Sequence, residues 1–443
     1  MHLKSQWWIA LIAILSARAV NGSPAPTPAV STAAARVKHI FLIVLENKSF
    51  SDTFETSSQD PYLQKTLVPK GALLTQYYGT GHVSLDNYIS MISGQAPTRD
   101  TANDCLPGLT GLVGNYNEIE HVDIAPNGQV IAGEGCIYPA KVKTLADQMD
   151  AAGLSWKAYM EDMGNDPARE DATCGHPTIG VGTDNTNTAE GPSAAVPEGD
   201  AYATRHNPFM YFHSIVDSPD CHTKVVNLRQ LTGDLSHKST TPSLVFITPN
   251  LCHDAHDGSG TGAAGTTCAN GEPGGLASAD AFLRMWVPKI LRSTAYKQDG
   301  LLIITFDESD YILSQTQDPN TGKVTKKSIF PGLACCNEPA DPNLKGTRPG
   351  TISLVNTPEL SWDIVVDGYG GDRTGALLLS PFVKAASSSK ISYNHYSLLR
   401  TIEDIFGLHE HLGYAADDPS IGYHLDPIWG DQSVFSSRVA GRQ

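Results

Sequence analysis

Positive charge is scarce in this chain. Its 443 residues carry 31 Lys and Arg against 47 Asp and Glu, a formal net charge of −16. A protein that grips nucleic acid through the phosphate backbone needs a basic face, so the balance excludes a nonspecific nucleic-acid binder. A stable embrace of anionic lipid headgroups is disfavoured for the same reason. A single phosphate held in a local, metal-lined pocket is untouched by that argument.

Long apolar runs are also missing. The N-terminal one, Trp7 to Leu15, has nine residues, well short of the roughly 20 that span a bilayer. No Cys-x-x-Cys pair occurs, which argues against a zinc ribbon. Gly-x-Ser-x-Gly and the phosphate-cradling GxxxxGK[ST] loop are absent, against an α/β-hydrolase esterase and a P-loop enzyme. Disorder is excluded by the 40% hydrophobic content.

The N-terminus reads as a targeting segment. Lys4 precedes the apolar run, and Ala17-Arg18-Ala19 fits small-x-small cleavage. We therefore expect a signal peptide over 1–19, a flexible lead-in over 20–36, one domain over 37–430 and a tail over 431–443. No stop-transfer stretch supports a membrane anchor instead, so the mature protein is expected to be secreted. Eight cysteines suit an oxidising compartment, although they allow 105 full pairings. Adjacent Cys335 and Cys336 are expected to reach different partners, because a vicinal bond strains the peptide between them.

Near-continuous apolar runs at Val37–Leu45, Ser243–Thr248 and Leu301–Phe306 have the pattern of strands buried on both faces, with a shorter fourth at Ala376–Leu379. Helical periodicity lies between them, at Val142–Ala152, Ala277–Leu291 and Tyr396–Phe406. The alternation predicts an α/β fold: a central, mostly parallel sheet sandwiched by helices. Three stretches, 165–200, 253–275 and 315–351, lack periodicity and are expected to be irregular loops over the sheet edge.

Ligands of open α/β sheets bind beyond the carboxyl ends of the strands. Glu46-Asn47 follows the first run, Asn250 to Asp257 the second, and Asp307-Glu308 the third. So many anions meeting at one edge would repel one another without a cation, and oxygen and imidazole donors suit a divalent ion of the zinc, manganese, calcium or magnesium kind. Ser84 stands at the start of a helical pattern running to Ser93. There it is either a helix N-cap or a nucleophile whose helix terminus receives phosphoryl oxygens, with Asn87 donating to the same oxygens. Asn47-Lys48-Ser49 is formally a glycosylation sequon that a pocket would hide. Arg205, Arg373 and Lys384 are read as surface charges, with a phosphate clamp as the alternative for an Arg at the pocket.

The phrases HIFLIVLENKSFSDTF (39–54), GHVSLDNYISMISG (81–94), RHNPFMYF (205–212), TPNLCHDAHDG (248–258), LLIITFDESD (301–310), GALLLSPFVK (375–384) and YNHYSLLRTIEDIFGL (393–408) follow the order of the phosphoesterase family. The chain resembles that family, which holds bacterial phospholipases C and secreted acid phosphatases in the alkaline-phosphatase-like superfamily. The resemblance implies an alkaline-phosphatase-like fold and hydrolysis of phosphate esters. It implies Ser84 as the nucleophile and Glu46, Asn47, Ser84, Asp307, Glu308, Asp254 and His256 as the set holding one or two divalent ions. His253 and Asp257 are neighbours of that set, and many superfamily members carry Asp-His or Asp-Asp where this chain has Asp307-Glu308. His256 or His395 is implied to protonate the leaving group. His206 and Asn207 fall in a family phrase with no role derivable from the residues. The expected activity is that of an acid phosphatase on small phosphomonoesters. A phospholipase C and a non-catalytic phosphate-ligand binder are the alternatives, and a sulfatase signature is absent from 81–94.

Overall fold

The computed structural model describes residues 33–55, 59–106, 116–180, 184–344 and 350–435. The expected signal peptide, most of the 20–36 lead-in and the end of the tail lie outside them. The strand His39–Leu45 has every residue buried. Side chains alternate across a strand, so Ile40, Leu42 and Val44 enter one core while Phe41, Ile43 and Leu45 enter the other. A run without polar interruptions is the sequence of a strand with no wet face.

Five parallel strands stand side by side, in the order Gly300–Phe306, His39–Leu45, Leu244–Thr248, Trp156–Met160 and Val225–Asn227. Ala376–Leu379 joins the other edge antiparallel to Gly300–Phe306, followed by Ala72–Leu74 and Ser387–Ser389. The helices Ser84–Ser93, Leu145–Ala151 and His395–Phe406 pack on one face, and Gly275–Arg292 covers the other. The fold is α/β, as the alternation of patterns predicts.

Capping explains where two helices begin. Thr144 and Asp147 form a reciprocal capping box, so that helix starts three residues after the apolar pattern does. Asn394 caps the last helix in the same way, which leaves His395 as its first residue and not its cap.

Three expectations need correction. The stretch 315–351 is not irregular throughout: a second sheet runs Ile312–Gln317, Val324–Phe330, Leu360–Val366, Gly350–Asn356. Its strands alternate Ser, Thr, Gln and Lys with isolated apolar residues and are mostly half-buried or exposed, so no apolar run betrays them. Cys335 and Cys336 bond to each other, because Cys105–Cys136, Cys174–Cys221 and Cys252–Cys268 consume the other six thiols. The packed body also overruns both expected boundaries: Ala34 is buried in the core, and Phe435 is buried and bridges Val383.

Leu42 lies in the central strand and is 1% exposed. Leu42→Ala is expected to cost about 2–5 kcal/mol through lost burial and an unfilled cavity. In denaturant titration this appears as a lower midpoint at unchanged slope.

Candidate active site

Register places the first two carboxylates. Leu45 pairs with Phe306 on adjacent parallel strands, so the next residues, Glu46 and Asp307, emerge side by side. Asp307 N donates to Leu45 O at 2.9 Å, and Asn47 N donates to Asp307 Oδ1 at 2.9 Å. The chain turns sharply at Asn47, with φ 46°, a left-handed conformation that Asn tolerates better than most residues. Its Nδ2 donates to Glu308 Oε1 at 3.0 Å, which hides the formal sequon. The loop after Leu244–Thr248 then folds back, and Glu46 N donates to Asp254 O at 2.6 Å. Three strand ends thus deliver Glu46, Asp307 and Asp254 to one buried neighbourhood.

The helix Ser84–Ser93 closes it. Ser84 Oγ donates to Glu46 Oε2 at 2.7 Å, and Tyr88 OH donates to Glu46 Oε1 at 2.5 Å. Residues four apart share a helix face, so one face grips both carboxylate oxygens. Val83, immediately before the helix, has φ 83°, an outlier for a β-branched residue. Val83 N donates to Glu308 Oε1 at 3.1 Å, and His82 Nδ1 also bonds Glu308. The strain therefore sits in the turn that presents Ser84, and Glu308 holds that turn.

These contacts revise several expected roles. Both Glu308 oxygens face protein donors, which ties this residue to the turn before Ser84. Asn87 Oδ1 accepts from Thr80 N and Gly81 N, and its Nδ2 donates to Gly81 O, so it fastens the preceding loop. The helix terminus is partly satisfied already, because Leu85 N donates to Asp104 Oδ1 at 2.8 Å. Arg205 is 8% exposed, with Nε 3.5 Å from Asp104 Oδ2, and is no surface charge.

His395 is corrected too. It is fully buried, with Nδ1 2.9 Å from Tyr77 OH and Nε2 2.5 Å from the backbone carbonyl of Asp307. A carbonyl only accepts, so Nε2 carries the hydrogen and Nδ1 accepts from the tyrosine. Burial pushes its pKa down to about 4. Both ring nitrogens are occupied, and His395 holds the backbone of Asp307. His253 faces away from the cluster, between Glu161 (2.9 Å) and Glu272 (2.7 Å). The His256 backbone N donates to Asp254 Oδ1 at 2.8 Å, while its half-exposed imidazole lines an open cavity beside Arg205.

Electrostatics make the cluster costly as it stands. Burial, then the charges of Asp307 and Asp254, raise the Glu46 pKa well above the usual carboxylate range. Burial, then Glu308, pushes Asp307 up to about 8. Burial, then Asp257, also raises Asp254. His206, stacked on Tyr88 at 5.4 Å, has Nε2 3.5 Å from Glu46 and Nδ1 3.6 Å from Asp254. Burial, with Arg205 next, lowers its pKa well below the usual value, so it offers a neutral imidazole and no compensating charge. Asn207, next to it, spends its Nδ2 on Tyr202 OH at 2.9 Å.

A bound cation would relieve this repulsion. Asp307 Oδ2, Asp254 Oδ2 and Asn47 Oδ1 are buried with no hydrogen-bond partner among the described residues. Hard oxygen donors of this type fit a divalent ion. Among the described residues no three His, Cys, Asp or Glu side chains are already arranged as a ligand set. The fit therefore rests on the orphaned oxygens and the mutual repulsion.

Sequence reasoning missed Tyr88 and Asp104, and misplaced Arg205. Tyr88 was within reach, four residues after Ser84 on the same helical face. Asp104 carried no local signal, since only the fold brings it to Leu85.

His395 supplies a test. A lowered histidine pKa contributes stability above pH 6.5 that is lost as pH falls through about 4. The stability advantage of wild type over His395→Gln is expected to shrink by on the order of 3 kcal/mol across that window. Denaturant unfolding at several pH values measures it, and a constant difference contradicts the buried neutral imidazole.

Over 268 residues the chain is 28% identical to a phosphate-repressible acid phosphatase of Penicillium chrysogenum, covering 60% of this chain and 47% of that protein. It is 21% identical over 426 residues to a phosphatidylinositol-3-phosphatase of Mycobacterium tuberculosis, covering 96% and 94%. The chain spans about half the length of the fungal acid phosphatases it matches. Among solved structures, an alkaline phosphatase superfamily protein from Vibrio parahaemolyticus aligns with 84% of this chain and 67% of its own, at TM-score 0.41 and 10% identity. The model of the phosphoesterase family matches residues 55–409, and the chain belongs to that family.

Proposed function

We propose that this chain is a secreted, metal-dependent phosphoric ester hydrolase that uses Ser84 on phosphomonoesters. The observation that carries the reading is Ser84 Oγ held 2.7 Å from Glu46 Oε2 at the start of a helix, over a buried carboxylate cluster. The names of the fungal relatives support an acid phosphatase. The disulfides and the N-terminal targeting pattern support secretion.

Glu46, Asn47, Asp307 and Asp254 are the residues to hold one or two divalent ions. Such an ion supplies positive charge that stabilises a serine alkoxide and the phosphoryl oxygens. Glu46 Oε2 orients the hydroxyl and accepts its proton as Ser84 Oγ bonds to phosphorus. The bond from phosphorus to the ester oxygen breaks as that oxygen takes a proton from His256; water then attacks phosphorus and gives a proton to His256, while the bond from phosphorus to Ser84 Oγ breaks, Oγ recovers its proton from Glu46 and phosphate leaves. His395 fixes the Asp307 backbone throughout, and Glu308 fixes the turn that aims the nucleophile.

Ser84→Ala is expected to lower turnover of p-nitrophenyl phosphate on the order of a hundredfold or more, and chelation is expected to abolish it. Equal rates for wild type and variant contradict the nucleophile assignment. Burial, the largest influence, lowers the pKa of His256, so its acid form gains population only as pH falls below the usual imidazole range. Turnover of alkyl phosphates, whose leaving groups need a proton, is expected to rise in that direction. His256→Ala is expected to slow alkyl phosphates more than p-nitrophenyl phosphate, and equal slowing removes the acid role.

One observation favours a second reading, a phospholipase C acting on phosphatidyl headgroups. The strand after Asp307-Glu308 leads into the second sheet, where Ile312 is 56% and Leu313 66% exposed, and Leu333 on the returning loop is 61% exposed. A steep gain in rate when short-chain phosphatidylcholine passes into micelles, with release of the phosphorylated headgroup, identifies this activity. A rate that ignores micelle formation excludes it.

A further inference from the structure

A cavity of about 470 Å³ lies beside the carboxylate cluster, a size typical of small-molecule sites. Arg205 and His256 are in its lining, and the segments 187–189 and 267–269 form walls. Arg205 links this space to the nucleophile. Its Nε lies 3.5 Å from Asp104 Oδ2, and Asp104 Oδ1 takes the backbone N–H of Leu85, the residue after Ser84. His256 is joined to Asp254 by its own backbone N–H.

The walls are built features. Cys268 is bonded to Cys252, at the start of the loop that carries Asp254 and His256. On the other side, Arg205 Nη1 donates to Asn187 O at 3.2 Å, and the buried Arg169 donates from Nη2 to Thr188 O at 3.1 Å. One wall is therefore tied by a disulfide to the loop that carries Asp254 and His256, and the other is held by two guanidinium groups.

The lining chemistry is unusual for a ligand pocket. It holds no aromatic ring other than the His256 imidazole and no long aliphatic chain; its carbon comes from Ala189, Ala269, Cys268 and Gly258. The polar groups are Asn187, Asp257, Thr188 and Thr267. Among the described residues no hydrogen bond engages the hydroxyl of Thr188 or Thr267. The apolar surface here is made of small side chains with no bulky slot for an acyl or aryl group, whereas a hydroxylated leaving group finds polar side chains on both walls. Sites built to hydrogen-bond a hydroxyl discriminate far more sharply than apolar pockets.

Resting on the hydrolase reading above, we propose that this cavity is the leaving-group subsite and that it selects phosphate esters of small polyhydroxylated alcohols. Arg205 faces the phosphoryl end, and the hydroxyls of Thr188 and Thr267 bond those of the leaving alcohol.

The test compares kcat/KM for glucose 6-phosphate and for phenyl phosphate, using the metal-loaded full-length protein. The pair Thr188→Val and Thr267→Val removes two exposed hydroxyls at nearly constant volume. It is expected to lower the ratio of glucose 6-phosphate to phenyl phosphate efficiency about tenfold or more, through KM, since a tenfold change corresponds to about one hydrogen bond's worth of binding. The pair Thr188→Ser and Thr267→Ser is expected to restore the ratio. An unchanged ratio, or equal losses on both esters, overturns the subsite. Failure of wild type to turn over either ester bears on the hydrolase reading alone. The subsite is then tested by calorimetric titration of glucose 6-phosphate and of inorganic phosphate into Ser84→Ala protein. The valine pair is expected to weaken the sugar phosphate about tenfold more than inorganic phosphate, at about 1.4 kcal/mol per factor of ten. Equal weakening of the two ligands, or none, overturns the proposal.

Discussion

Three carboxylates buried at the ends of three strands are the constraint around which this molecule is arranged. Glu46, Asp307 and Asp254 are each fully buried, and mutual repulsion adds to burial in holding their proton affinities high. A fold tolerates such a cost only when something compensates it. Part of the compensation is local: Ser84 and Tyr88 bond Glu46, and two backbone N–H groups bond Asp307. Asp307 Oδ2, Asp254 Oδ2 and Asn47 Oδ1 are where that compensation stops.

Around the cluster, the protein spends histidines and glutamates on orientation. His395 bonds the backbone of Asp307, Glu308 holds the turn before Ser84, and Glu161 holds His253 and Asn250 N. Each is engaged by other protein groups: His395 by Tyr77 and Asp307, Glu308 by Asn47, His82 and Val83, and Glu161 by His253 and Asn250. Such residues look catalytic in a sequence because their types are right. In this structure their polar atoms are spent on other protein groups.

The fold was legible where burial is total. Runs with no polar interruption could only be strands covered on both faces, and the acids that follow the strand ends marked the cluster the fold brings together. Legibility failed where burial is partial. The second sheet alternates small polar residues with isolated apolar ones, so neither face writes a pattern. The roles of Asp104, Arg205 and His82 depend on contacts with residues far away in the chain, or on loops without periodicity. The vicinal bond between Cys335 and Cys336 was misjudged because local strain was weighed without knowing that the other six cysteines pair among themselves.

The most direct measurement is anomalous diffraction from crystals of the protein soaked in manganese at a concentration that supports turnover. The account predicts an anomalous peak ligated by Glu46, Asn47 and Asp307 and adjacent to the Ser84 hydroxyl. Density for the ion elsewhere, with those three side chains still bonded only to protein groups, would contradict it.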